Sequence, residues 1–226
     1  QRRNRHMATS HTLIFIGGDP PHPNVRQHLP ADAYVIAADS GYAHAIAMGF
    51  VPHELVGDMD SIAAVDITDA RDSNILISQF PADKDLTDTE IAISSAIARQ
   101  STHITVVSGG GDRFDHVLAM VHSLASSALT IDTTLLIGRA RVSYATYTKE
   151  FRINTQSGNT ISLIPIGGAS AVTTTGFQWE LNNDTLHSFA SRGVSNITTG
   201  DSVSISVTDG SLAVVEPFFI NPGDIS

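Results

Sequence analysis

Tyr34-Val35-Ile36-Ala37-Ala38-Asp39-Ser40-Gly41-Tyr42-Ala43-His44-Ala45-Ile46-Ala47-Met48 is the stretch that decides the fold class. Its first five residues form a short continuous apolar run, which suits a strand buried on both faces, as in a parallel sheet. Asp39-Ser40-Gly41 breaks the run, and an Ala-rich helical pattern over Ser40–Met48 follows at once. A strand that turns directly into a helix is half of a strand–helix–strand unit. Where such units repeat, an α/β layer fold follows.

They do repeat. Apolar runs recur at Thr12–Ile16, Glu54–Val56, Asn74–Ile77, His103–Val107 and Thr134–Ile137. Helical patterns cover Thr87–Arg99, with Asp88 and Glu90 in the first turn, and Phe114–Leu129. Acids suit the positive end of a helix dipole. After about Gly138 the texture changes. Arg141–Tyr147, Glu150–Ile153, Thr160–Pro165, Ala171–Thr175, Ser202–Val207 and Ser211–Val215 are short and rich in Val, Ile, Thr and Ser. Val203, Ile205 and Val207 alternate with Ser204 and Ser206, the pattern of a half-buried strand. Asp209-Gly210 between two such runs predicts a tight hairpin turn. The expected organisation is a tag or disordered N-terminus over residues 1–11, a mostly parallel α/β domain over 12–139, and an all-β unit over 140–226.

The 226 residues carry 23 Asp and Glu against 13 Lys and Arg, a formal charge of −10. Between Ile36 and His116, 13 acids face 4 bases, so nearly all the excess sits in one stretch. A chain this acidic is a poor binder of nucleic acid or anionic membrane through a general positive field. Hydrophobic content of 42% and 16% charged residues describe a globular protein. With no cysteine, disulfides, thiolate nucleophiles and thiolate metal sites are excluded. No apolar run approaches the roughly 18–20 residues that span a bilayer. The arginines of Gln1–His6 have no apolar segment behind them, unlike a secretory signal. The expected compartment is the cytoplasm.

The acids gather at strand ends. Asp39 follows one strand, and Gly57-Asp58-Met59-Asp60-Ser61 follows the next. In an open α/β sheet, ligands bind outside the carboxyl ends of the strands. An extended Asp-x-Asp puts both carboxylates on one side, about 6–7 Å apart. Clustered carboxylates repel unless a cation compensates, and hard oxygen ligands suit Mg²⁺ with substrate phosphates. The competing reading is that each Asp only caps a helix or bonds local backbone. Next comes Asp83-Lys84-Asp85-Leu86-Thr87-Asp88, immediately before a helix. Thr87 and Glu90 have the spacing of a capping box. Lys84, Asp85 and Asp88 have no such structural duty and suit a phosphate and its metal.

Ser108-Gly109-Gly110-Gly111-Asp112-Arg113-Phe114-Asp115-His116 then joins a strand to a helix. Glycines let backbone amides approach an anion, and Arg113 carries a fork of donors. The spacing is neither a Walker A loop nor the dinucleotide fingerprint. A Gly-rich turn is often only a turn, with Asp115 as a helix cap and His116 in packing. Together these segments point to Mg²⁺-dependent chemistry on a nucleoside triphosphate or diphosphate.

The same blocks resemble the thiamine pyrophosphokinase family: Ala38–Gly41, Gly57–Ser61, Lys84–Glu90 and Gly110–His116, then Gly176-Phe177-Gln178-Trp179-Glu180-Leu181 and Gly193-Val194-Ser195-Asn196. The resemblance implies an N-terminal α/β/α sheet domain that binds ATP and a C-terminal β-sandwich. It implies pyrophosphoryl transfer from ATP to the hydroxyethyl oxygen of thiamine, giving thiamine diphosphate and AMP. It also implies a homodimer with thiamine at the subunit interface. By position, Asp39, Asp58, Asp60 and Asp88 would hold Mg²⁺ and the triphosphate, and Lys84 and Arg113 would neutralise phosphate charge. Ser40, Gly41, Asp85, Gly110 and Asp115 would line the nucleotide. Trp179 would pack on the thiamine rings, with Ser195 and Asn196 lining the same pocket. Asp112, Met120 and Gln178 depart from the family pattern. The other readings are a pyrophosphokinase of the same fold acting on a pterin-like heterocycle, and a non-catalytic nucleotide- or thiamine-diphosphate-binding regulator.

Overall fold

The computed structural model describes residues 11–58, 64–80, 86–111 and 113–221. Their contacts divide the chain into two compact units, Gln1–Arg113 and Phe114–Ser226.

The first unit alternates as the sequence predicts: β1 (His11–Phe15), β2 (Tyr34–Ala38), α1 (Gly41–Ala47), β3 (Glu54–Gly57), α2 (Ala64–Asp72), β4 (Leu76–Gln79), α3 (Asp88–Ala98) and β5 (His103–Ser108). Its strands run parallel in the order β4-β3-β2-β1-β5. Strands β2 to β4 are therefore added on one side of β1, and β5 on the other. The reversal beside β1 opens the crevice where ligands of such sheets bind. Leu13, Ile14, Phe15, Ile36, Leu55 and Val106 are fully buried, as two-sided burial of the central strands requires. Each contributes about 1.5–3 kcal/mol relative to exposure. β4 departs from that expectation. It starts at Leu76, two residues later than the apolar run, and Leu76 is 56% exposed. As the last strand of this order it has a neighbour on one side only among the described residues.

α2 was not legible in the sequence, because its Asp66, Asp69 and Asp72 mask the apolar spacing. Ile67 and Ala70 nevertheless reach a core with Ala37, Tyr42, Leu55 and Ile75. α3 opens on the predicted capping box. Thr87 Oγ1 accepts from the Glu90 amide at 3.2 Å, and the Thr87 amide donates to Glu90 Oε2 at 2.9 Å.

The second unit holds α4 (Phe114–Ser127), β6 (Asp132–Ile137), β7 (Ala140–Thr146), β8 (Phe151–Asn154), β9 (Thr160–Thr175), β10 (Asp184–Leu186), β11 (Asn196–Ile197), β12 (Ser202–Ser206) and β13 (Asp209–Glu216). Among the described residues no helix follows Ser127. α4 packs on β6 and β13 through a face that includes buried Met120, Leu124 and Ala125. The two runs expected at Thr160–Pro165 and Ala171–Thr175 are one 16-residue strand, β9. It is the organiser of the unit: β13 pairs with its residues 162–170, and β12 with 173–175, all antiparallel.

The predicted hairpin at Asp209-Gly210 is not formed. β12 and β13 pair with different parts of β9, and Asp209 and Gly210 lie inside β13, opposite Ser170 and Ala169. The ladder shifts register between Gly210 and Ser211, so the Asp-Gly pair marks an irregularity within a strand, not a turn. Ile161, Leu163 and Val172 of β9 share a core with Val203 and Ile205 of β12 and with Leu212 and Val214 of β13.

Candidate functional site

At the carboxyl end of β2, Asp39 takes a left-handed backbone (φ +48°), which a short polar side chain tolerates better than most. Its amide donates to the Val56 carbonyl at 2.9 Å, and its own carbonyl accepts from the Tyr42 amide at 3.1 Å. β2 is thereby stitched to β3 and to the first turn of α1, where Ser40 stands at the N-cap and Gly41 opens the helix. Gly41 is pressed on β1: a Cβ there would lie 2.2 Å from the Phe15 carbonyl oxygen.

The Asp39 carboxylate lies over the end of the next strand. A Cβ on Gly57 would stand 1.8 Å from Asp39 Oδ1, which is itself buried. Gly57 has φ +149°, and Asp58 follows it directly. The structure thus brings Asp39 and the start of the Gly57–Ser61 block together at adjacent strand ends. Asp88 is placed as the first residue of α3, which packs on β1, β2 and β3. Arg113 is exposed, directly after the glycine loop, and Asp115 and His116 are exposed in the first turn of α4. Asp115 is inside the helix, not at its cap. Asp60, Lys84, Asp85 and Asp112 lie outside the described residues. Among the described residues no three His, Asp or Glu side chains gather as a metal cage.

Sequence reasoning missed Gly17-Gly18-Asp19-Pro20, the loop after β1. It interlocks with Ser108–Gly111. The Asp19 amide donates to the Gly110 carbonyl at 3.2 Å, and the Gly109 amide to the Asp19 carbonyl at 3.1 Å. A Cβ on Gly109 would meet the Asp19 and Pro20 carbonyls at 2.2 and 2.3 Å. The Gly110 amide is taken by Ser108 Oγ at 3.1 Å. The Gly109 amide is therefore spent on packing the two loops together, and the Gly110 amide on a bond within its own loop. The available signal was the Gly-Gly-Asp-Pro break directly after the first strand.

In the second unit the Gly176–Leu181 and Gly193–Asn196 blocks come together. Phe177 bridges Thr198, the Gln178 amide donates to the Ile197 carbonyl at 2.8 Å, and the Thr199 amide to the Gly176 carbonyl at 2.9 Å. Trp179 is 58% exposed, beside a buried Asn196 whose amide is turned onto the Trp179 main chain. Ser195 is exposed, with φ +57°, and its amide donates to Ser162 Oγ at 2.9 Å. The segment leading into it is tied down by Arg192 on Asp184 at 2.9 Å. The Asn182 amide, then Arg192, hold the Asp184 carboxyl below its usual range.

Two family models match the chain. Thiamin pyrophosphokinase, catalytic domain, covers residues 25–135, and Thiamin pyrophosphokinase, vitamin B1 binding domain, covers residues 148–212. A thiamine pyrophosphokinase of Bacillus subtilis is 26% identical over 176 residues, which are 76% of this chain and 82% of that protein. The crystal structure of a thiamine pyrophosphokinase from Bacillus subtilis superposes with a TM-score of 0.77 at 24% identity, over 91% of this chain and 97% of the other. That of the yeast thiamin pyrophosphokinase gives 0.73 at 17% identity, over 96% and 89%.

Proposed function

The chain belongs to the thiamin pyrophosphokinase family, and we propose that the strand-end carboxylates of its first unit direct the reaction. That reaction transfers a pyrophosphoryl group from ATP to thiamine, giving thiamine diphosphate and AMP. The observation that carries the assignment of the site is the Asp39 carboxylate lying over Gly57, with Asp58 next in the chain.

The donor set fits Mg²⁺. Asp39 and Asp58 are hard oxygen donors at neighbouring strand ends, and Mg²⁺ takes one or two carboxylates, keeping water and substrate phosphates as its other ligands. Asp39, Asp58, Asp60 and Asp88 would hold the ion, which when bound neutralises phosphate charge and polarises the phosphoryl oxygens. Ser40, Gly41, Asp85, Gly110 and Asp115 line the nucleotide in this reading. Lys84 and Arg113 bind phosphate oxygens and stabilise the charge that develops as the thiamine hydroxyl oxygen attacks the β-phosphorus and AMP leaves in line. Little covalent work falls to the protein, so orientation and electrostatics dominate.

Trp179, largely exposed, packs on the cationic thiazolium in this reading, and Ser195 lines the same pocket. The domains are a parallel α/β/α sheet domain over residues 12–139 and a β-sandwich over 140–226. The first family model ends at 135 and the second starts at 148, on either side of that boundary, while the contacts divide the chain earlier, between Arg113 and Phe114. The protein acts as a cytoplasmic homodimer, with thiamine at the subunit interface. No helix of the described residues is long and apolar enough to cross a membrane. Incubation with Mg-ATP and thiamine tests the reaction: AMP must appear with thiamine diphosphate. ADP formation, or no thiamine-dependent turnover, overturns it.

A further inference from the structure

Asn196 belongs to the second thiamine-side block, yet its side chain is engaged in the protein. It is 5% exposed. Its Oδ1 accepts from the Trp179 amide at 3.2 Å and from the Ile197 amide at 2.9 Å, and its Nδ2 donates to the Trp179 carbonyl at 2.7 Å. Only this orientation of the amide satisfies all three bonds, because the oxygen must face the two N–H groups and the nitrogen the carbonyl. One side chain therefore reads both backbone polar groups of Trp179, as a paired strand would.

The loop around Trp179 is closed by further bonds that leave the ring outward. Glu180 Oε1 accepts from the Gly176 amide at 2.9 Å, and the Leu181 amide donates to Thr174 Oγ1 at 2.9 Å. Trp179 is 58% exposed, so much of the indole is left to solvent. The main chain that Asn196 grips fixes the direction of its Cα–Cβ bond, from which the indole projects. An exposed ring that must meet a flat cation benefits from such preorganisation, since ordering it at the moment of binding costs affinity.

We propose that Asn196 is a positioning residue that clamps the Trp179 backbone so that the indole presents its face to thiamine, and not a group that touches thiamine itself. The proposal rests on the thiamine face assigned to Trp179 above.

Asn196→Asp tests it. The substitution keeps size and the acceptor for the two amides, but sets a carboxylate oxygen against the Trp179 carbonyl. Losing a buried hydrogen bond in this way is expected to raise the thiamine KM about tenfold. The kcat and the ATP KM should stay within about twofold. Trp179 is the only tryptophan, so the fluorescence anisotropy of the protein reports its mobility directly, and it should fall in the variant. In a Trp179→Ala background the same substitution should change the thiamine KM by less than about twofold, because the clamp no longer has its object. If Asn196→Asp fails to fold, Asn196→Ala carries the same cycle. An Asn196 effect of full size in the Trp179→Ala background overturns the proposal, because Asn196 then acts independently of the indole. A thiamine KM unmoved by Trp179→Ala alone overturns instead the assignment of the thiamine face.

Discussion

Gly57→Ala separates the site from the scaffold. The new methyl carbon would stand 1.8 Å from Asp39 Oδ1 and 2.7 Å from Asp39 Cγ, where real Cβ contacts stay beyond 3.0 Å. The obstructing atoms belong to a side chain, so the backbone can hold while the carboxylate retreats by at least an ångström. The stability cost is then chiefly that of a non-glycine residue at φ +149°, about 1–3 kcal/mol. For a chain of this length that lowers Tm by roughly 2–12 °C. Gly49→Ala supplies the control. Gly49 also has positive φ (+77°), but nothing lies within 4 Å of its Cβ position. Its substitution carries backbone strain of about 1–2 kcal/mol and displaces no carboxylate.

The two variants should therefore differ in activity far more than in stability. Displacing a positioned group by about 1 Å can cost about a hundredfold in rate. Thiamine-dependent AMP release at saturating Mg-ATP is expected to fall about that much in Gly57→Ala and to stay near wild type in Gly49→Ala, both read well below their Tm. Asp39→Ala should lose activity by itself, and adding Gly57→Ala to it should cost little more. Near-normal turnover by Gly57→Ala would refute the placement of Asp39 in the reacting centre. So would a double variant whose losses simply multiply.

Asp58→Asn should abolish turnover with an unchanged circular dichroism spectrum, and near-normal activity at limiting Mg²⁺ would remove Asp58 from the metal assignment. Thr87→Ala removes the hydroxyl of the capping box and should cost about 0.5–2 kcal/mol by urea titration. Because the cap anchors the turn that begins with Asp88, a fall in kcat larger than the stability loss explains is expected alongside. His11 and His53 titrate below 6.5, foremost because they are partly buried, and then because His103 and Arg99 respectively add positive charge. Asp32 opposes this only weakly at His11, being the smallest cause. The unfolded chain thus binds more protons than the native one as pH drops through 6.5, so this contribution is present above 6.5 and lost below it. Tm should fall between pH 7 and 5, and His53→Gln should flatten that slope.

What the sequence made legible was whatever local physics dictates alone. Val35–Ala38 and Ile104–Val107 are buried on both faces, so their apolar runs announce strands directly. Thr87 and Glu90 three residues apart announce a cap, and both bonds are present. What failed needed partners distant in the chain. Asp209-Gly210 has the composition of a hairpin, but its neighbours are Ser170 and Ala169, some forty positions earlier, and that pairing overrides the local turn preference. The loop after β1 shows only two glycines in sequence. Gly18 admits the Gly110 carbonyl of the loop after β5 and Gly17 admits Ser40 after β2, needs that exist once β1 lies between β2 and β5. Asn196 enters the thiamine pocket only through the family resemblance of its block, which says nothing of what its side chain bonds. That its amide faces backbone follows only from the bridge between residues 177 and 198.

The same distinction sorts the excess acid of residues 36–116. Glu54, at the amino end of β3, is 5% exposed and accepts from the Ser95 and Ser78 hydroxyls at 2.8 and 3.2 Å, so it belongs to the scaffold. Glu90 is committed to the Thr87 cap. Asp66, Asp69 and Asp72 ride on α2, where Asp69 and Asp66 help hold the Tyr42 hydroxyl above its usual pKa, after burial. Each of these acids is already explained by a donor, a helix or an edge. Among the described acids of that stretch, Asp39, Asp58 and Asp88 stand apart by position: two end adjacent parallel strands, and the third starts the helix packed across them. Carboxylates placed there concentrate negative charge at the carboxyl ends of β2 and β3 and the start of α3, where the proposed site lies. Such crowding is stable to selection when a cation and its anionic substrate complete the site, which is why the charge excess reads as part of the chemistry.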